Sequence, residues 1–207
     1  MHLNDYFDLF VQNLLHSTWL EGVAVFTGLL SVWYAKKENL LVYPTGIISV
    51  LIYVYICFKA GIYADMGINF FYFIMSVYGW YKWTRKDSLD NYIPITANSL
   101  IHQLIFLVAT VFFFVILVYV LTNYTDSTVP YIDSATTALF IIGMWLMALK
   151  KIENWIYWIV GDVISIPLYF YKGLVLTSFQ YTVFLIIAIL GYLEWREKLK
   201  RANAEGR

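Results

Sequence analysis

The distribution of charged residues constrains this chain most, because long stretches of the sequence contain almost none. Seven charge-poor stretches are long enough to cross the hydrocarbon core of a bilayer, which takes about 20 helical residues; they cover residues 18–35, 40–58, 62–81, 99–121, 134–150, 154–172 and 174–194. Of the 207 residues, 61% are hydrophobic and 14% are charged, whereas a soluble domain has about 25% charged residues. The pattern predicts an all-α integral membrane protein with seven transmembrane helices.

The residues before the first span have a different pattern. Leu3, Phe7, Phe10 and Leu14 recur at helical spacing, and polar residues occupy the other positions. Such a one-sided distribution predicts a short helix that lies on the membrane surface.

Lysine and arginine are distributed unevenly between the connections. The connections after the first, third and fifth spans, together with the C-terminal tail, contain twelve of the fourteen positive residues; Lys59 and Lys172 are the other two. Because positive residues near span ends stay on the cytoplasmic side, the N-terminus is expected outside and the C-terminus in the cytoplasm. The formal net charge is zero, which disfavours a nucleic-acid partner.

The first and last three spans are similar in sequence. At an offset of 115 residues, Gly28, Lys36, Glu38, Asn39 and Gly46 match Gly143, Lys151, Glu153, Asn154 and Gly161; at an offset of 112, Gly61, Ile74, Gly79 and Trp83 match Gly173, Ile186, Gly191 and Trp195. Such self-similarity is typical of transporter folds, and it predicts a 3+1+3 parallel repeat whose fourth helix is a connector. The expected organisation is an interfacial segment (1–17), a three-helix repeat (18–86), a connector with helix four (87–133), a second repeat (134–195) and a cytoplasmic tail (196–207).

Polar residues at membrane depth are candidate binding residues, because such side chains usually face a cavity or the bundle interior. Asp162 lies near the middle of the sixth span, and Asn69 and Gln180 lie at similar depths in the third and seventh. We expect these three to hydrogen-bond a substrate. Neighbours on the same helix faces are further candidates: Tyr72, Phe73, Ser76 and Phe184.

The sixth span contains an aromatic and acidic face. Trp155, Trp158 and Asp162 are spaced by three and four residues, so they lie on one side of a helix. Two indoles and a carboxylate suit a flat, cationic or electron-poor aromatic ring. The alternative is that Trp155 belongs to the aromatic belt at the membrane interface and that Asp162 makes a hydrogen bond between helices.

The sequence lacks the motifs of nucleotide hydrolysis and of zinc proteases, namely Gly-x-x-x-x-Gly-Lys-Ser/Thr and His-Glu-x-x-His. Glu21, His102 and Asp162 lie on different spans, and Cys57 is the only cysteine. We therefore expect no enzyme, no metal and no cofactor. A proton-coupled symporter that uses Asp162 and a seven-helix receptor or assembly subunit are the alternatives to a uniporter.

The chain resembles the bacterial nicotinamide riboside transporters of the PnuC type from about Trp19 to Trp195. The resemblance is carried by Tyr78-Gly79-Trp80, Glu153-Asn154, Trp155-x-x-Trp158, Gly161-Asp162, Gln180-Tyr181 and Gly191-Tyr192. It implies a seven-helix 3+1+3 fold similar to the sugar-transporting SWEET proteins, and a homotrimer. It also implies facilitated diffusion of nicotinamide riboside across the bacterial inner membrane, with trapping by a cytoplasmic kinase.

The same resemblance implies a binding site among helices three, six and seven, where the Trp-x-x-Trp face recognises the vitamin. Relatives in this family carry thiamine, riboflavin or deoxynucleosides. Nicotinamide riboside and thiamine both contain a cationic aromatic ring, so the substrate within this class stays open.

Overall fold

The computed structural model describes residues 18–61, 63–86 and 92–205, and most of them are helical. Seven helices lie in these ranges: α1 (Trp19–Lys36), α2 (Val42–Ala60), α3 (Tyr63–Thr84), α4 (Leu100–Tyr124), α5 (Pro130–Ala148), α6 (Asn154–Tyr171) and α7 (Val175–Ala204). The predicted all-α fold with seven helices is confirmed. The interfacial helix predicted before residue 18 lies outside the described residues.

Four helices are long and apolar enough to cross a membrane by length and composition: α2, α4, α5 and α7. The other three, α1, α3 and α6, contain 18, 22 and 18 residues. At 1.5 Å per residue these lengths correspond to about 27–33 Å, which matches the roughly 30 Å thickness of the hydrocarbon core. All seven helices therefore have the length of membrane spans.

Six helices form a closed ring. Around the ring, α1 contacts α2, α2 contacts α3, α3 contacts α5, α5 contacts α6, α6 contacts α7, and α7 contacts α1. Helix α4 lies outside the ring, where it packs on α5. Its apolar side chains, such as Leu100, Val108 and Phe112, are exposed, as expected for a surface that contacts lipid or another apolar partner.

Polar side chains near two span starts hold helix ends. Thr18 and Glu21 form a capping box at the start of α1, in which each side chain bonds the backbone N–H of the other residue. At the start of α4, the Ser99 hydroxyl accepts a hydrogen bond from the His102 backbone and lies 2.8 Å from His102 Nδ1. These contacts satisfy backbone donors that a helix start leaves unpaired, so Glu21 and His102 have structural roles.

One end of the ring, here called the basic end, contains the α1–α2 and α5–α6 turns and the last turns of α3 and α7. Lys150 is buried there, and its Nζ lies 2.7 Å from a Glu38 carboxylate oxygen. Lys198 lies 3.4 Å from the other oxygen of Glu38. These ion pairs connect the turn after α1 to the turn after α5 and to α7.

A buried aromatic cluster, here called the tryptophan core, fills the basic end and consists of Tyr43, Trp83, Trp155 and Trp195. Trp83 Nε1 donates to the Met147 carbonyl at 3.2 Å, and Trp195 Nε1 donates to the Ala35 carbonyl at 3.1 Å. Each bond joins the end of one helix to the end of a ring neighbour, α3 to α5 and α7 to α1. The core therefore closes the basic end of the ring.

Several structural features of α1–α3 recur 112 residues later in α5–α7. Glu38 and Lys150 both have positive φ, 59° and 52°, and Gly61 and Gly173 end α2 and α6 with φ of 72° and 74°. The two indole hydrogen bonds also correspond, because both donors and both acceptors are 112 residues apart. The sequence match for the first two helices has an offset of 115, three residues more than the offset of these features. Three residues are nearly one helical turn, so that shift keeps much the same helix face.

Candidate binding cavity

A cavity of about 220 Å³ lies inside the ring. All six ring helices contribute lining residues, whereas none of its described lining residues comes from α4. Ala35, Tyr43 and Met147 line it towards the tryptophan core, and Tyr72 and Phe184 line it on the opposite side. The cavity therefore lies between the tryptophan core and the middle of the bundle.

Four aromatic rings form a stacked column beside the cavity. The ring centroids of Trp158 and Phe140 are 5.4 Å apart at 25°, those of Phe140 and Tyr181 are 5.9 Å apart at 10°, and those of Tyr181 and Tyr169 are 5.0 Å apart at 11°. Trp158, Phe140 and Tyr181 also line the cavity. An aromatic ligand can extend such a column, because offset stacked rings attract each other at these distances.

Two glycines, Gly161 and Gly143, lie against the rings of Phe140 and Trp158. A Cβ atom on Gly161 would overlap the Phe140 ring, and a Cβ on Gly143 would lie 3.3 Å from the Trp158 ring. Because interiors are closely packed, even one added methyl group displaces its neighbours. The absence of a side chain at Gly161 and Gly143 therefore allows the rings of Phe140 and Trp158 to pack between α5 and α6.

Asp162 provides a negative group in the cavity wall. It is 2% exposed, lies in the middle of α6 and lines the cavity. Among the described residues that line the cavity, it is the one with a charged side chain. An ionised carboxylate in such a site is costly unless a cation or hydrogen-bond donors approach it, so the site favours a cationic or donor-rich ligand.

Five of the nine side chains predicted from the sequence meet in this cavity: Tyr72, Ser76, Trp158, Asp162 and Phe184. They come from α3, α6 and α7, the three helices expected to form the site. Trp158 and Asp162 share the cavity face of α6, as their spacing predicts.

Trp155 does not share that face. It is fully buried in the tryptophan core, where its ring lies 5.5 Å from that of Trp195 in an edge-on arrangement. A Cβ on Gly191 would lie 2.6 Å from the Trp155 ring, so α7 covers this indole. The alternative of an interfacial belt residue does not describe it either, because a belt residue contacts headgroups and water.

The structure does not bring the other three predicted residues to the cavity lining. Asn69 Nδ2 donates to the Asp65 carbonyl at 2.9 Å, within its own helix. The Phe73 ring stacks with that of Phe70, with centroids 6.0 Å apart. The Gln180 side chain lies beside Tyr53 of α2.

The sequence reasoning missed a wall of small residues on α1 and α2: Gly28, Ser31, Gly46 and Ser49. Ser31 Oγ donates to the Val42 carbonyl and Ser49 Oγ donates to the Ala24 carbonyl, both at 2.7 Å across the helix pair. The signal was present, because Gly28-x-x-Ser31 and Gly46-x-x-Ser49 each place two small residues on one helix face. Small residues at such spacing are typical of close helix contacts in membranes.

The end of the ring opposite the basic end is also held by polar contacts. Asp133 accepts hydrogen bonds from Lys172 Nζ and from the Ser127 hydroxyl, both at 2.6 Å. Nearby, the rings of Tyr169 on α6 and Tyr181 on α7 stack with centroids 5.0 Å apart. These contacts join the start of α5 to the α6–α7 turn, so the cavity lies between two groups of contacts that join different helices.

Comparison with known proteins identifies the family. Residues 18–197 match the family described as nicotinamide mononucleotide transporter. The chain is 27% identical to the nicotinamide riboside transporter PnuC of Escherichia coli, over 89% of this chain and 90% of that protein. It is 26% identical to the PnuC protein of Neisseria mucosa, over 91% and 76% of the two chains.

A further relative is the riboflavin/roseoflavin transporter RibM of Streptomyces davaonensis, which is 22% identical over 94% of this chain and 91% of that protein. The fold is similar to a crystal structure of the vitamin B3 transporter PnuC, with a TM-score of 0.72 at 24% identity, over 95% of this chain and 90% of that one. Because the family match extends over most of its length, this chain belongs to the nicotinamide mononucleotide transporter family and is a multi-pass membrane transporter, not an enzyme.

Proposed function

We propose that this protein transports nicotinamide riboside across the membrane. The curated relatives named above as PnuC proteins are nicotinamide riboside transporters. The observation that carries the proposal is the pairing of a stacked aromatic wall, Trp158 and Phe140, with the carboxylate of Asp162 in one cavity. The pyridinium ring of nicotinamide riboside is flat and cationic, so it can stack on the wall and interact with the carboxylate.

The charges of the cavity favour the riboside over its phosphorylated form. None of the described lining residues is lysine or arginine, and Asp162 is acidic. A phosphate group is normally held by cationic side chains or by free backbone N–H groups. Nicotinamide mononucleotide is therefore expected to bind weakly.

The proposed mechanism is facilitated diffusion with alternating access. We infer that α1–α3 and α5–α7 form the two halves of a 3+1+3 repeat, which rock around the cavity and open its two ends in turn. The corresponding positions 112 residues apart and the reciprocal indole hydrogen bonds support this inference. A cytoplasmic kinase would phosphorylate the imported riboside and prevent its return.

The experiment is uptake of labelled nicotinamide riboside into proteoliposomes. Wild-type protein is expected to equilibrate the riboside, unlabelled mononucleotide to compete poorly, and Trp158→Ala to reduce uptake at least tenfold. Trp145→Ala is a matched control, because Trp145 lies on α5 and is 40% exposed. Absence of uptake, or equal uptake by the Trp158 and Trp145 variants, would contradict the proposal.

Two alternatives rest on specific observations. Thiamine has a similar cationic ring, and the similarity to RibM makes riboflavin a second candidate; competition by either vitamin in the same assay tests them.

Proton-coupled symport would use Asp162. Accumulation that follows an imposed pH gradient, and that Asp162→Asn abolishes, would favour the symporter over the uniporter.

We also propose a location in the bacterial inner membrane, with the basic end in the cytoplasm, because most positive residues lie there. A homotrimer is proposed from the family resemblance and is consistent with the exposed apolar surface of α4. Mass measurement of the purified protein in detergent tests the trimer. Labelling of single cysteines in the α1–α2 and α6–α7 turns from either side of the membrane tests the orientation.

A further inference from the structure

The two halves of the ring place residues of opposite size at corresponding positions around the cavity. At the offset of 112, Gly28 corresponds to Phe140 and Gly46 corresponds to Trp158. All four line the cavity. The α5–α6 side therefore presents the large rings of Phe140 and Trp158, here called the aromatic wall. At the corresponding positions the α1–α2 side has glycines, beside which Ser31 and Ser49 line the cavity; this part of the lining is here called the serine wall.

The contacts between helices confirm that these positions correspond. A Cβ on Gly28 would lie 3.0 Å from the Ser49 hydroxyl, and in the other half a Cβ on Gly161 would meet the Phe140 ring. Each contact joins the first helix of a half to the second. The glycine is on the first helix in one half (Gly28 of α1) and on the second helix in the other (Gly161 of α6). The other pair behaves in the same way: Gly46 lies against Ser31, and Gly143 lies against Trp158.

The serine wall can accept hydrogen bonds from a ligand. The Ser31 and Ser49 hydroxyls each donate a hydrogen bond to a backbone carbonyl of the neighbouring helix. The lone pairs of each hydroxyl oxygen can therefore accept a hydrogen bond from a ligand. Ser76 of α3 also lines the cavity, is 2% exposed, and makes no side-chain hydrogen bond with another described residue. Three hydroxyl-bearing side chains thus line the same cavity as Phe140 and Trp158.

We propose that this α1–α2 wall, with Ser76, is the sugar subsite of the cavity. It takes the hydroxyl-bearing pentose of the substrate while the ring stacks on Trp158 and Phe140. This assignment rests on the proposed riboside transport. It replaces the sequence-based expectation for Asn69 and Gln180, because neither amide lies in the lining and the Asn69 amide bonds the Asp65 carbonyl.

The pentose is assigned to the serine wall because its hydroxyl groups need hydrogen-bond partners that aromatic rings do not supply. Ribose hydroxyls that leave water must find partners, since an unpaired buried polar group costs about 1–3 kcal/mol. The α5–α6 wall offers them few acceptors, because Phe140 and Trp158 have none and the Asp162 carboxylate of α6 is the partner proposed for the pyridinium ring. The Ser31, Ser49 and Ser76 hydroxyl oxygens supply acceptors.

The test compares two ligands on purified protein in detergent. Nicotinamide riboside carries a pentose on the ring nitrogen. In 1-methylnicotinamide a methyl group replaces that pentose, and the pyridinium ring is the same. In Ser31→Ala/Ser76→Ala, the dissociation constant for the riboside is expected to rise roughly 10- to 30-fold, about fivefold for each neutral hydrogen bond. Binding of 1-methylnicotinamide should stay within about twofold of wild type, measured by calorimetry or by competition at high concentration.

Two further variants keep the result interpretable. Ser178→Ala is the matched control, because Ser178 is buried and donates across the α6–α7 pair to the Ile166 carbonyl at 2.8 Å, but does not line the cavity; both ligands should bind it as they bind wild type. Trp158→Ala should weaken both ligands together.

Outcomes of this test separate the subsite from the transport function. Wild-type protein that binds the riboside, with serine variants that weaken both ligands equally or neither, overturns the sugar subsite and leaves the proposed function intact. Wild-type protein that does not bind the riboside overturns the proposed function and the subsite with it.

Discussion

Replacement of both Trp83 and Trp195 by phenylalanine tests the closure of the basic end. Phenylalanine retains a buried ring but loses the indole N–H that bonds Met147 or Ala35. The two carbonyls stay satisfied, because each also accepts a turn hydrogen bond, from the backbone N–H of Lys150 or Glu38. The substitutions therefore remove two bonds across the ring without leaving an unpaired acceptor.

The expected magnitude follows from those two bonds. A neutral hydrogen bond contributes about 1 kcal/mol, and both bonds join α1 or α5 to the last helix of the other half. If the basic end opens during transport, both must break. The double variant then shifts the equilibrium towards the open state by about 2 kcal/mol, which is roughly 30-fold.

Cysteine accessibility measures this shift. With Cys57 replaced by alanine, a cysteine at Val32, which lines the cavity, reports entry of a charged thiol reagent from the basic end. We expect labelling to accelerate roughly 30-fold in the double variant, while Trp80→Phe, on the same helix but 40% exposed, leaves the rate unchanged. Equal rates in all three proteins would refute the view that these indole bonds hold the basic end closed.

Two further predictions concern stability in detergent. Gly161→Ala should destabilise the protein by about 1–3 kcal/mol, because the new methyl group overlaps the Phe140 ring; Gly67→Ala, with no atom within 4 Å of its Cβ, should have no cost, and equal melting temperatures would contradict this. Lys150→Met should cost about 2 kcal/mol, less than the roughly 3–5 for fully buried pairs, because Glu38 retains Lys198 at 3.4 Å. Chemical unfolding against the control Lys59→Met, at an exposed position, measures the difference, and an equal effect would show that burial of Lys150 is unimportant.

The sequence predicted part of the site because membrane depth and helical spacing are local properties. Asp162 was placed in the middle of α6 by counting residues, and Trp158 was placed on the same face by a spacing of four. The same rule failed for Trp155, which lies one turn closer to the basic end. There, Trp195 and Gly191 of α7 enclose its indole, and spacing within α6 contains no information about α7.

The repeat register shows the same limit. Matching identical residues paired Gly28 with Gly143 and Gly46 with Gly161. The helix contacts instead recur at an offset of 112, because the Gly28–Ser49 contact has its counterpart in a contact between Phe140 and Gly161. Identity over short segments therefore selected an offset three residues away from the one at which these helix contacts recur.

The sequence by itself determined that this chain is helical and lies in a membrane, because its seven charge-poor stretches have the length, about 20 residues, at which a helix crosses the bilayer with its backbone satisfied. It also placed a carboxylate and an indole at the centre of one helix. Only the tertiary structure decided what surrounds them, because a cavity is formed by residues far apart in sequence. The ring of six helices brought the serines of α1 and α2 opposite Phe140 and Trp158, and buried Trp155 away from the cavity.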